Sequence, residues 1–241
     1  MTDDHATHVA ELSRANPLQA EIDAGLRQFL LSVYNYMGSG LVLTGLVAYG
    51  AAETGLYTSL VQTPVFFWGI ALAPLILVLF LSFRIEKMGL GTAQASFWSY
   101  AALVGLSLAG LVLLYTGVSI ARTFFITAAT FLAMSLYGYT TRTDLSRVGS
   151  FLLMGLFGII IASVVNIFLA SSALQFAISL IGVFVFVGLT AYDTQRIKSI
   201  YLESDDSVVA GKKAIMGALT LYLDFLNLFI LLLQLTGNRR Q

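Results

Sequence analysis

Apolar runs long enough to cross a bilayer recur along this chain, each separated from the next by a short polar or charged segment. A helix needs about 20 residues to span the hydrocarbon layer. Seven runs meet that length, at about 27–50, 62–83, 93–115, 120–140, 148–170, 173–192 and 211–235. The pattern predicts an all-α membrane protein of seven transmembrane helices. Its longest connection joins the last two spans through Ile197 to Gly211 and carries the acidic run Glu203-Ser-Asp-Asp206. The turn near Leu169 to Ala173 is tight, and the division between the fifth and sixth spans rests on it. An odd number of spans puts the two ends on opposite faces. Ten of the 13 Lys and Arg residues then lie on the side of the N-terminus, against Arg122, Arg239 and Arg240 on the other, which places the N-terminus in the cytoplasm.

The polar residues within these runs are aligned. The last run reads Leu219-Thr-Leu-Tyr-Leu-Asp-Phe-Leu-Asn-Leu-Phe-Ile230 and holds a carboxylate, Asp224, at its middle. An aspartate at that depth costs about 2.5 to 3.5 kcal/mol on insertion scales, so it needs a partner or a wet cavity. At 100° per residue, Lys213, Gly217, Thr220, Asp224, Asn227 and Gln234 share one face, and that seam must meet protein. A second carboxylate, Asp193, closes the sixth run, with Thr190, Phe186, Gly182, Ser179 and Gln175 on its face. Two such seams prefer each other to lipid. If the two aspartates meet, both cannot ionise in a low dielectric; they share a proton and titrate as one pair, which makes a proton sensor. Asn166, beside Ser163 in the fifth run, adds a third polar group or simply an interhelical hydrogen bond.

Arg84, at the inner end of the second run, is the nearest plausible cation for such a pair, with Lys87 and Glu86 beside it; the alternative is a snorkelling anchor. Pro74 lies ten residues earlier, mid-span. It frees a carbonyl and bends the helix about 15 Å from its end, either as a static kink or as a hinge for the Arg84 end. Glycines such as Gly38, Gly40, Gly45, Gly105, Gly110, Gly155 and Gly158 are expected to let helices pack closely.

Composition sharpens the class. The chain is 58% hydrophobic and 11% charged, outside the soluble globular range. Lys+Arg and Asp+Glu balance at 13 each, so no basic surface points to nucleic acid. With no cysteine, thiol catalysis and thiolate metal sites are excluded. Residues 1–25 read as a cytoplasmic tail, 26–236 as the transmembrane domain and 237–241 as a short C-terminal tail. His5 and His8, with no third ligand, do not make a metal site.

Four stretches carry a family resemblance: Gly138-Tyr-Thr-Thr-Arg-Thr-Asp-Leu-Ser146, Val164-Val-Asn-Ile-Phe168, Leu189-Thr-Ala-Tyr-Asp-Thr-Gln-Arg-Ile-Lys198, and Leu219 through Phe229. The chain resembles the transmembrane Bax inhibitor motif family, Bax inhibitor-1 and its relatives, and within it the bacterial inner-membrane branch that includes YccA. The resemblance implies six helices around a central seventh. It implies a proton-sharing dyad of Asp193 and Asp224, with Arg84 in the place of a latch. It further implies a pH-sensitive calcium leak across the bacterial inner membrane, with calcium as the ion conducted, protons as regulator and no bound cofactor. For the YccA branch it also implies association with a membrane-bound AAA protease.

Calcium takes about six to eight oxygens, and Asp193, Asp224, Asn227 and Thr220 cannot close a dry cage of that size. The expectation is weak contact during passage. A regulator acting by protein binding would use the tail and the Ile197–Gly211 loop. An intramembrane aspartyl protease is a remote third reading: Tyr192-Asp193 matches half of that motif, but no Gly-x-Gly-Asp precedes Asp224. The chain is therefore expected not to be an enzyme.

Overall fold

The computed structural model describes residues 3–240, with side chains from Ala24 onward. Eight α-helices follow one another: α1 Asp3–Glu53, α2 Leu56–Val61, α3 Pro64–Arg84, α4 Leu90–Leu114, α5 Gly117–Thr140, α6 Ser146–Leu169, α7 Ser172–Ser199 and α8 Ser207–Thr236. All except the six-residue α2 contain a stretch long and apolar enough to span a membrane, which in α1 is Ala24–Glu53. The seven expected spans are therefore present. The backbone of the expected tail from Asp3 onward is the first part of α1, and the side chains of His5 and His8 lie outside the described residues.

The seventh span is central. Of its most apolar stretch 61% is buried within the protein, against 6% for α3 and for α6. Helix α8 packs on α1, α4, α5 and α7, whereas α3 lies mainly against α4 and α6 against α7. Four of the six helices thus form the ring and two flank it. Helix α3 reaches the core at its C-terminal end, through buried Leu81 and Ile85 with Leu77 and Val78 packed beside them. Close packing uses Gly40, Gly105, Gly110 and Gly155 of the glycines singled out above. Gly105 sits where a Cβ would come within 2.6 Å of the Thr44 carbonyl, while Gly38, Gly45 and Gly158 face open space. The tightest approach to a neighbouring backbone is between α5 and α7, where a Cβ on Gly138 would strike the Ala191 carbonyl.

The boundaries near the site differ from expectation. Helix α7 runs to Ser199, so Asp193 lies inside the helix and does not close it. Arg196 and Lys198 in the last turn favour this extension by opposing the negative end of the helix dipole. Helix α8 begins at Ser207, because the Asp206 carboxylate accepts from Val208 N and Val209 N at 2.9 and 2.8 Å. The acidic run is thus a capping device, and the loop expected over Ile197 to Gly211 shrinks to the few residues between α7 and α8. The tight turn after α6 is closed by Ala170 in the left-handed region at φ 46, with Ser171 N donating to Asn166 Oδ1 at 3.0 Å.

Pro74 lies within an unbroken α3, and the carbonyl it frees is that of Ile70. Ser107 of α4 donates to this carbonyl at 2.7 Å. The proline is thereby pinned to its neighbour.

After α8 the chain folds back as a strap. Thr116 N donates to Asn238 O at 3.0 Å, Arg240 N to Leu114 O at 2.9 Å, and Asn238 N to Ser119 Oγ at 2.9 Å, tying the end of α8 to the α4–α5 turn.

Candidate functional site: a buried carboxyl pair

Asp193 and Asp224 reach the same point from α7 and α8, and they are 9% and 5% exposed. Their carboxyl groups lie close to each other at the α7–α8 interface. The Oδ2 of Asp224 is buried with no partner. The cation whose charge reaches Asp193 is Arg196, one turn further along α7.

The other residues expected at the site are arranged differently. Thr190, Thr220 and Asn227 lie in the two helices, but each turns back on its own backbone. Thr190 donates to Phe186 O at 2.8 Å, Thr220 to Met216 O at 3.1 Å and Asn227 to Leu223 O at 2.9 Å. A polar group inside a bundle that lacks a cross-helix partner is satisfied by the carbonyl one turn back, and these three follow that rule. Asn166 is at the far end of the bundle, where its Nδ2 donates to Gln175 Oε1 at 3.2 Å. There Gln175 donates to Gln234 at 2.8 Å, so the seams of α7 and α8 do meet along their length.

Arg84 is not brought to the pair. It is exposed at the end of α3, in no hydrogen bond or ion pair among the described residues. What docks the inner end of α3 is burial of Leu81 and Ile85, helped by Lys212 donating to Glu86 O at 3.0 Å. Lys87 likewise makes no recorded contact with either aspartate. The one ion pair among the described residues joins Lys213 to Asp205 at 2.5 Å, and Lys213 also donates to Ile200 O at 3.0 Å. Together Lys212 and Lys213 line a cavity of about 370 Å³ with Ile85, Glu86, Ile200 and Met216, below the carboxyl pair on the seam of α8.

Two of the sequence motifs are in contact. Gln195 accepts from Leu145 N at 2.8 Å and donates to Thr143 O at 2.8 Å, so the α5–α6 loop is clasped two residues past Asp193.

The sequence reading missed a third polar face. Helix α5 buries Ser119, Thr123, Thr127 and Ser135, and it packs on both α7 and α8. Their spacing in multiples of four is the signal that would have found them. Ser135 bonds Thr194 of α7 at 3.0 Å and also Tyr34 of α1. Tyr222, fully buried two residues before Asp224 and so on the opposite side of α8, bonds Thr44 of α1 at 2.6 Å.

Among the described residues no three His, Cys, Asp or Glu side chains converge.

A bundle of seven helices long and apolar enough to span a membrane, the last enclosed by the others and carrying a buried aspartate, defines the class. Residues 26–241 match the family described as inhibitor of apoptosis-promoting Bax1, and the chain belongs to that family. An uncharacterized protein of Rickettsia prowazekii is 53% identical over 219 residues, covering 90% of this chain and 92% of its own. The inner membrane protein YbhL of Escherichia coli is 49% identical over 220 residues, 90% of this chain and 94% of that one. A Caulobacter vibrioides protein is 43% identical over 238 residues, with 94% and 95% covered.

Proposed function

We propose that this protein is a non-enzymatic, proton-regulated cation leak of the bacterial inner membrane, with calcium the ion conducted and the Asp193–Asp224 pair both sensor and ion-facing group. The observation that carries the reading is the burial of two carboxyl groups, Asp193 and Asp224, close together between the two helices that carry polar seams. The inner-membrane setting is supported by the name of YbhL, and a cytoplasmic N-terminus by the distribution of Lys and Arg.

The sign follows from charge. An ionised pair attracts the cations around the inner end, Arg196 on α7 and Arg84 on α3, and draws that end closed. Acid neutralises the pair and removes the attraction, so the inner end loosens and the leak rises. In the arrangement described, Arg84 is not engaged, so its part as a latch requires the end of α3 to move toward α7 and α8. The inner closure that is present consists of Leu81, Ile85 and the two lysine contacts.

The test is calcium entry into liposomes holding the purified protein, scanned across pH. Entry that rises in acid for the native chain and loses its pH dependence in Asp224→Asn supports the reading. No calcium entry above protein-free liposomes at any pH refutes it.

A further inference from the structure

Helices α1 and α5 do not pack along their length, although Tyr34 and Ser135 bond across the gap. Between them lies a cavity of about 420 Å³ floored by α4 and α8, with Phe225 and Phe229 at its base. It runs from Leu41 to Tyr49 on α1, about 12 Å of helix. Its rim residues Tyr49 and Phe125 are 61% and 71% exposed, so the cavity opens sideways toward the bilayer. The hydroxyl of Thr44, which also lines it, is taken up by Tyr222 and the Ala101 carbonyl.

At one end the lining turns cationic. Arg240 lines the cavity, donates to Tyr115 O at 3.1 Å through Nε, and has no partner for its other guanidinium N–H groups among the described residues. Arg239 is next to it, and Arg122 donates to Thr236 O at 3.2 Å at the same end of the bundle. The three cations that break the charge pattern of this chain are therefore gathered where the cavity ends.

We propose that this cavity binds one anionic glycerophospholipid, with an acyl chain between α1 and α5 and the phosphate on Arg240. An apolar groove open to hydrocarbon takes up a lipid chain and not water. A leaflet is about 15 Å deep, which matches the length of the groove and brings a headgroup level with the strap. The free guanidinium edge supplies charge-assisted donors that a phosphate diester accepts and a choline cation opposes.

The test uses the full-length protein in detergent, loaded with dioleoyl phosphatidylglycerol or with dioleoyl phosphatidylcholine, and native mass spectrometry to count retained lipid. Phosphatidylglycerol is expected to be held over phosphatidylcholine by about tenfold, the effect of one charge-assisted contact. Arg240→Gln is expected to abolish that preference. Gly45→Leu, at a position where a Cβ meets nothing within 4 Å, is expected to fill the groove and expel both lipids. Equal retention of the two lipids by the native chain, or a preference that survives Arg240→Gln, overturns the headgroup site. Retention unchanged by Gly45→Leu overturns the groove.

Discussion

Asp193 of α7 and Asp224 of α8 are both buried and lie close to each other across the α7–α8 interface. On the proposed function the two share a proton and make a group whose charge is set by pH. Asp224→Asn keeps the size and polarity of the side chain and removes its titratable carboxyl. The ratio of calcium entry in mildly acidic to mildly alkaline buffer is expected to fall to unity in this variant and in Asp193→Asn. A variant that keeps the native ratio would show that the pair is structural.

Two arginines compete for the role of closing cation, and they can be separated. Arg196→Ala and Arg84→Ala are each compared with the native chain for entry at neutral pH. Removing the cation that holds the inner end on the proposed function is expected to raise entry by up to about fivefold, as loss of an interaction near 1 kcal/mol allows. A rise in Arg196→Ala alone assigns the role to α7. A rise in Arg84→Ala alone shows that α3 moves to engage the pair.

The contact between Ser107 and the Ile70 carbonyl gives Pro74 a measurable partner. Ser107→Ala leaves that carbonyl unpaired and is expected to cost about 1 kcal/mol in unfolding measured in detergent. In a Pro74→Ala background the restored N–H takes the carbonyl, and the same serine change should be nearly silent. Equal costs in both backgrounds would mean that the serine acts elsewhere.

Outside the membrane, Asp144 accepts from Ser146 N at 2.9 Å in the α5–α6 loop. The Ser146 side chain first, then its amide, with the Arg147 charge as a smaller cause, hold the Asp144 carboxyl below its usual range. A carboxyl depressed by folding stabilises the native state above its ordinary range and stops doing so as pH falls through the depressed value. Asp144→Ala should therefore lower the thermal midpoint slightly at neutral pH, and the gap should close in strong acid. A gap that is constant with pH would exclude the ionised form as its source.

Much of this arrangement was legible in the chain. Hydrophobic length located all seven spans, and the position of Asp224 within an apolar run required the seventh helix to be enclosed. The burial of Asp193 followed from a seam that lipid would not accept. What escaped were properties of contact. The i and i+4 spacing of the α5 hydroxyls is present in the sequence, but Ser and Thr cost little in a membrane helix and so draw no attention there. The docking of α3 through Leu81 and Ile85 cannot be told from lipid-facing residues of the same type. Arg84 lies where the charge pattern put it, yet α3 packs on α4, and no local rule specifies which flank a peripheral helix takes.

The most enclosed helix is also the one that follows all the others in the chain, and this sets an order of assembly. While a ribosome is making α1 to α7, the hydroxyl face of α5 and the carboxyl of Asp193 have no partner, and the bundle has a polar trench where α8 belongs. The earlier helices must wait, loosely held, for the helix that completes them. The strap after α8, closing over Tyr115, is the last piece to settle. In a pulse-chase experiment, chains truncated before Ser207 are expected to be degraded rapidly, and full-length chains to persist. Equal lifetimes would show that the first six spans make a stable bundle without their centre.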